Sequence, residues 1–368
     1  MVYNILKEVT LKKVFLVFAI LAILFTTKLV FCANLPITPK QYQAMLNVGI
    51  DVNWLNFNKF TIAYQKAHNK GINIALLFKK RGFSHVRIRI KNKLSYLYKK
   101  LNTNLLYELK NVINDCLKAK IIPILTYDAL DFRKHPNMQT LNETLKWWKN
   151  LAKALKDYPY ILSYDLIIET SGKIKKHNDL LNLFYKRTIT ALRKIDRNRI
   201  IFITPNHISN PYYLPKLYYP KHDRFLMIEW HFYAAGPSKT NKKKLWTTGS
   251  PYEKSLISKK IVFAYNWCKK RGLYDWVGAW MPTNYNKVNK NRMFYDSAPA
   301  GGYYSLKNEI KFASFISESL KKERIPYAVN ADDKFFNIDT LKWYDSVKNV
   351  VDAIIYGNNK HTKDSLYN

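Results

Sequence analysis

Eight short β-prone runs, separated by amphipathic stretches of helical period, limit what this chain can fold into more than any other feature. VGIDVNWL near 50, FSHVRIRI near 87, IIPILTY near 124, LSYDLIIE near 166 and RIIFITP near 202 come first; RFLMIEWHFY near 228, DWVGAWM near 278 and IPYAVNA near 328 follow. They are rich in branched and aromatic residues, which fit a pleated, buried surface. Between them, LLYELKNVINDCLKAK, TLNETLKWWKNLAKALKDY, NDLLNLFYKRTITALRKID and NEIKFASFISESLKKER repeat apolar residues three and four apart, the spacing of one buried helix face. Thr140 and Glu143 have the spacing of a capping box for the second of these helices. Strand and helix in strict alternation call for parallel strands, because each helix carries the chain back along the sheet. With no linker or break in composition, the pattern predicts one domain over 34–368, an α/β fold of the closed (β/α)8 TIM-barrel type. The rival is an open doubly wound sheet, but no glycine-rich phosphate loop follows any run, so a nucleotide site has no support. The interval from Ala234 to about Glu253, rich in Gly, Pro, Ser and Lys, reads as an extended surface loop.

Composition narrows the classes further. At 48% hydrophobic residues the chain has ample material for a core, which excludes disorder. Its three cysteines, Cys32, Cys116 and Cys268, are too few and too scattered for a disulfide framework or a metal–thiolate site, and neither a metal nor a cofactor is expected. Lys12 and Lys13 precede an apolar run from Val14 to Phe25, and Asn34, Pro36 and Pro39 follow. The run is shorter than the roughly 20 residues of a membrane span, so 1–33 reads as a signal peptide cleaved near Cys32 or Ala33, or else as an uncleaved signal anchor. Leu-Val-Phe-Cys lacks the small residues that precede a lipidated cysteine. The expected location is secreted, periplasmic or at the cell surface, with membrane contact only through the leader and the chain a monomer. Lys and Arg number 61 against 26 Asp and Glu, a net charge of +35. The excess is spread over LFKKRG, KIKKH, TNKKKL, CKKRG and LKKER, which argues against a single nucleic-acid groove. A compositional bias toward Lys, Asn, Ile and Tyr accounts for such a charge; attraction to acidic polysaccharide or membrane surfaces is the other reading.

Chemistry in such a barrel gathers at the carboxyl ends of the strands. That rule selects Trp54, Arg87, Asp128, Glu169, Asn206, His231 with Tyr233, Trp280, and Asn330 with Asp332. Carboxylates that protonate a glycosidic oxygen and aromatic faces that stack on pyranose rings suit a sugar substrate. Each residue also has a structural explanation. Glu169 ends an apolar strand and is either at the mouth or paired inside. His231 is a site residue or a satisfied core histidine. Arg87 orients or merely neutralises a carboxylate, and Trp54, Trp230 and Trp280 stack on sugar or pack in the core.

On these residues the chain resembles glycoside hydrolase family 5, the cellulase-like retaining enzymes of (β/α)8 fold. GFSHVRIRI is similar to the second-strand pattern G-F-x-x-V-R-I-P and carries the family arginine onto Arg87. ILSYDLIIETSG resembles the fourth-strand Y-D-L-x-N-E-P, which makes Glu169 the acid/base. RIIFITPNHIS resembles the fifth strand, and IEWHFYAAGPS the sixth-strand H-x-Y, giving His231 and Tyr233. The departures are specific. Ile168 and Thr170 replace the asparagine and proline around the acid/base, Asp128-Ala129 replaces a histidine pair, Asn330 stands at the eighth-strand tryptophan position, and Ala279 stands where V-G-E-W has its nucleophile. The resemblance therefore implies either hydrolysis of a β-linked polysaccharide or oligosaccharide, or a catalytically silent glycan-binding barrel. For hydrolysis the second carboxylate comes from Asp332, Asp333, Asp128 or Glu229.

Overall fold

The computed structural model of the protein describes residues 35–91, 103–232, 249–282 and 306–358. The leader at 1–33, Tyr233 and the expected loop up to residue 248 lie outside the described residues. The chain enters through helix α1 (Pro39–Leu46). Strands β1 (Val48–Leu55), β2 (His85–Ile90), β3 (Ile122–Tyr127), β4 (Ser163–Asp165), β5 (Ile201–Ile203), β6 (Leu226–Phe232), β7 (Asp275–Trp280) and β8 (Tyr327–Val329) then pair in sequence order, all parallel, and β8 closes onto β1. The expected (β/α)8 barrel is the observed fold, and each of the eight runs supplies one strand. Around it lie α2 (Asn58–Asn69), α3 (Ile74–Arg81), α4 (Thr103–Lys118), α5 (Leu130–Lys134), α6 (Met138–Leu155), α7 (Asn178–Arg193), α8 (Pro251–Lys269), α9 (Leu306–Lys322) and α10 (Lys348–Tyr356).

Two boundaries differ from expectation. Helix α6 begins three residues early: Asn137, not Thr140, is its cap, accepting a hydrogen bond from Thr140 N at 3.0 Å, while Thr140 Oγ1 accepts from Asn137 N at 3.3 Å. An Asn cap followed by Thr makes the same reciprocal pair as Thr followed by Glu. Glu253 ends no loop; it closes a capping box with Ser250 in the first turn of α8.

Strand alternation sorts the side chains into two layers. Val48, Ile50, Val52 and Trp54 of β1 face the helices, whereas Gly49, Asp51 and Asn53 face the barrel axis. The interior itself changes character along the axis. Its floor is apolar: Tyr42 and Leu46 of α1 plug the end where the strands begin, packed with Ile124, Phe202, Met227 and Trp276. His85 lies in this floor, with Nδ1 2.6 Å from Leu46 O and Nε2 accepting from Trp276 Nε1 at 3.0 Å. Burial lowers its pKa to about 4, and these partners select the neutral Nδ1–H tautomer. A methyl at Gly49 would overlap the His85 ring, so β1 needs glycine there. Two residues up from His85, the interior becomes charged.

Candidate active site

Arg87 is the centre of that charged layer. Its Nε and Nη2 make a bidentate pair with Asp51 at 2.7 and 2.8 Å, and Nη1 reaches Asp165 and Glu229, each at 3.1 Å. Carboxylates from β1, β4 and β6 thus meet one guanidinium that is itself 1% exposed. A buried arginine demands such partners, since desolvating an unpaired charge costs several kcal/mol. Three carboxylates are more than one cation balances, and the excess is relieved by protonation: burial first, then the charge of Glu229, push Asp165 up to about 8. Asp51 and Asp165 were not singled out from the sequence. The signal was there, a single acid at an inward position of a strand with no other charge.

His231 links this layer to the mouth. Its Nε2 lies 2.5 Å from Glu229 Oε1 and its Nδ1 3.5 Å from Glu169 Oε2. Burial works against a charged imidazole, but the Glu229 charge and contacts with both glutamates raise His231 to about 9. Glu169 follows β4, where the main chain still pairs with β3 through Ile168 N to Tyr127 O at 3.1 Å. Its side chain is 25% exposed at the mouth, against 0% for Glu229. Burial raises the Glu169 carboxyl, but hydrogen bonding and charge from His231, then Ser171 and Arg133, more than offset this and hold it at about 2. The resting site therefore has an imidazolium between two carboxylates, with the proton on His231 and not on Glu169.

Across the barrel, the end of β8 carries a second acidic group. Asp332 Oδ1 accepts from Asn53 N at 3.0 Å and Asp333 Oδ1 from Asn53 Nδ2 at 2.8 Å. Burial, then the charge of Asp333, push Asp332 up to about 8. Asn330 is also at this end, its Oδ1 accepting from Arg89 at 3.3 Å.

Arg87, Glu169 and His231 thus converge at one mouth, with Asp332 and Asn330 on its β8 side. Other candidates are placed differently. Trp54 is fully buried on the helix side of β1 against Tyr64 and Phe78, with ring centroids 4.9 and 5.2 Å away, so it is a packing residue. Trp280 likewise packs outward against Phe312 and Tyr327. Asp128 is held in an ion pair with Arg133 at the end of β3. Asn206 is buried and donates to the carbonyls of Ile174 and Lys175, so it braces the segment after β4 and does not face the cavity. Tyr233 is outside the described residues.

Ala279 does face inward. The register of β7 shifts between Val277 and Trp280, because Gly278 is an extra residue. Val277 and Trp280 both point outward as a result, and Ala279 pairs with His231, sharing its inward side. Glu229 occupies the space over Gly278, where any Cβ would overlap its carboxylate.

Comparison with known proteins agrees with this architecture. The family model for cellulase (glycosyl hydrolase family 5) matches residues 45–310. The fold is similar to endoglucanase Cel5A from Thermotoga maritima, with TM-score 0.69 and 20% identity over 86% of this chain and 100% of that one. It is also similar to cellulose synthase subunit Z from Clostridioides difficile, with TM-score 0.66 and 18% identity over 84% and 99% of the two chains. No curated protein sequence matches the chain.

Proposed function

From the premise that this chain belongs to glycosyl hydrolase family 5, we propose that it hydrolyses O-glycosidic bonds of a β-linked glycan, with Glu169 as acid/base and His231 as its proton reservoir. The observation that carries this reading is the Glu229–His231–Glu169 row. Glu169 reaches the mouth, and the imidazolium 3.5 Å behind it holds the proton that a leaving glycosidic oxygen needs. A substrate that covers Glu169 removes solvent from the carboxylate, raises its proton affinity and draws that proton forward.

The second carboxylate is not on β7, where Ala279 presents a methyl group. Glu229 is separated from Glu169 by the His231 ring, and Asp128 is committed to Arg133. Asp332 and Asp333 remain. In a closed barrel of eight strands β8 stands opposite β4, which suits a water held between the two groups, the arrangement of inverting hydrolysis at roughly 6.5–9.5 Å and not the about 5 Å of retention. Thermotoga maritima Cel5A has been seen with cellobiose and with mannotriose, so glucan and mannan are the first substrates to test. The reading includes export directed by the leader at 1–33.

A second reading, a glycan-binding barrel without hydrolysis, draws on the same methyl group and on a Glu169 that is ionised at rest. New reducing ends from β-glucan, mannan or xylan decide between them. The hydrolase reading expects turnover that Glu169→Gln lowers at least about a hundredfold, with the inverted anomer as first product. Glycan binding without turnover in the parent protein supports the silent barrel, and turnover unchanged in Glu169→Gln removes Glu169 from the chemistry.

A further inference from the structure

Of the lysine-rich runs, KIKKH follows β4 on the mouth side, whereas LFKKRG, CKKRG and LKKER end α3, α8 and α9, and the fold brings those three to one end. All barrel strands are parallel, so every connection that re-enters the barrel does so at one end, opposite the mouth. Each of these connections carries exposed cations: Lys80 before β2, Lys120 before β3, Lys156 before β4, Arg197 before β5, Arg224 before β6, Lys270 before β7 and Lys322 before β8. Several carry more than one, as in KKR at 79–81 and at 269–271. One basic residue per helix end complements the helix dipole; runs of two or three exceed that need. The acids of the same end are largely engaged, Asp196 with Arg199 at 2.6 Å, Asp223 with Arg193 at 2.7 Å, and Asp275 buried against Trp230. Asp157, Glu318 and Glu323 remain against the whole set of cations.

The same end receives the chain. Helix α1 plugs it, and a cleft of about 650 Å³ beside α1 is lined by Lys40, Lys269, Lys321 and Arg324. The apolar run that closes at Phe25 lies just upstream of Leu35, and the ten residue steps from one to the other span at most about 35 Å even when fully extended. A leader engaged in a bilayer would therefore hold this end, and not the mouth, toward the headgroups.

We propose that the basic end of the barrel is a docking surface for a bilayer of anionic phospholipid, with the glycan site facing away from the membrane. The partner is set by chemistry: a plane of phosphate charge matches a plane of cations on many separate turns, whereas a linear polyanion would engage one groove. The inference is independent of whether the barrel hydrolyses glycan.

The test uses the full chain reconstituted into bilayer discs of phosphatidylcholine alone or with phosphatidylglycerol, read by hydrogen exchange along the backbone. The expected result is slowed exchange in the turns before β3, β4, β7 and β8 in the anionic discs only, reversed by high salt. Residues 128–134 at the mouth should not respond. The variant Lys120→Gln, Lys156→Gln, Lys270→Gln, Lys322→Gln, with all four changes on exposed positions, should keep its melting temperature and lose the lipid-dependent protection, its affinity for anionic vesicles falling on the order of a thousandfold. Equal exchange in both discs overturns the proposal, as does protection at the mouth. Equal protection of the turns by soluble polyphosphate would assign the surface to free polyanions instead of a bilayer.

Discussion

The two ends of the barrel handle charge in opposite ways. Inside the mouth the charges are few and each has a partner, Arg87 with Asp51, Asp165 and Glu229, and His231 with two glutamates, while exposed lysines such as Lys134, Lys173 and Lys176 lie on the outer rim. At the floor the interior is apolar and the charges lie outside, numerous and nearly all positive. A buried charge is tolerated only with a partner, so the mouth network is rigid and its protons are shared. A solvated charge needs no partner, so the floor can accumulate an excess that acts on whatever lies beyond the molecule. Position in the fold, more than residue type, decides what a lysine or an arginine does here.

The strongest way to break this contrast is at Arg87. Arg87→Met would leave Asp51 and Glu229 buried without their cation and should destabilise the fold by about 3–5 kcal/mol, measured by denaturant unfolding. A variant as stable as the parent would show that the network is not held by its charges. Next in size is Gly278→Ala. The added methyl must displace the Glu229 carboxylate, which is 0% exposed and clasped by Arg87 and His231, at a cost of about 1–3 kcal/mol in thermal or chemical unfolding. No loss of stability would mean that Glu229 does not occupy that space.

pH should then separate the two ends. His231 is raised to about 9 when folded, so its stabilising contribution is complete below about 6.5 and is lost as pH rises through 9. Asp165, raised to about 8, acts in the same direction, losing its contribution between its unfolded value near 4 and 8. His85 is depressed to about 4, so its contribution is complete above 6.5 and is lost as pH falls through 4. Alkali should cost the mouth the contributions of His231 and Asp165, and mild acid should cost the floor that of His85. Imidazole NMR titrations check this directly: His231 should remain protonated at pH 8 and His85 neutral at pH 5, and the reverse order would refute it. The smallest effect belongs to the outside of the floor, where Lys120→Gln should shift stability by no more than about 0.5 kcal/mol in the same unfolding assay. A larger loss would mean that the exposed cations are structural and not a free surface.

Much of the molecule was legible in the chain. The eight strands follow from apolar runs bounded by turns, because a strand buried on both sides leaves a continuous hydrophobic signature. Glu169 and His231 stand out because a charge at the end of such a run has few places to go. Trp54, open in the sequence between stacking on sugar and packing, is resolved by alternation: Asp51 and Asn53 take the inward positions of β1, which turns the indole outward. Trp280 is a different case. Gly278 adds one residue to β7, which puts Val277 and Trp280 on the same side and Ala279 on the other, and no rule of period two reveals an inserted residue.

By itself, then, the sequence determined the barrel, the position of its mouth and the placement of Glu169 there, since each depends on local periodicity and on the strong preference of charge for water. Tertiary structure alone decided which acids surround Arg87, that Glu169 lies beside the His231 imidazole, and that every turn returning to the barrel brings a cation to the same end. These are distances between residues from different strands, and closure of the sheet sets them: parallel strands bring inward side chains to a shared level and every returning turn to a common face.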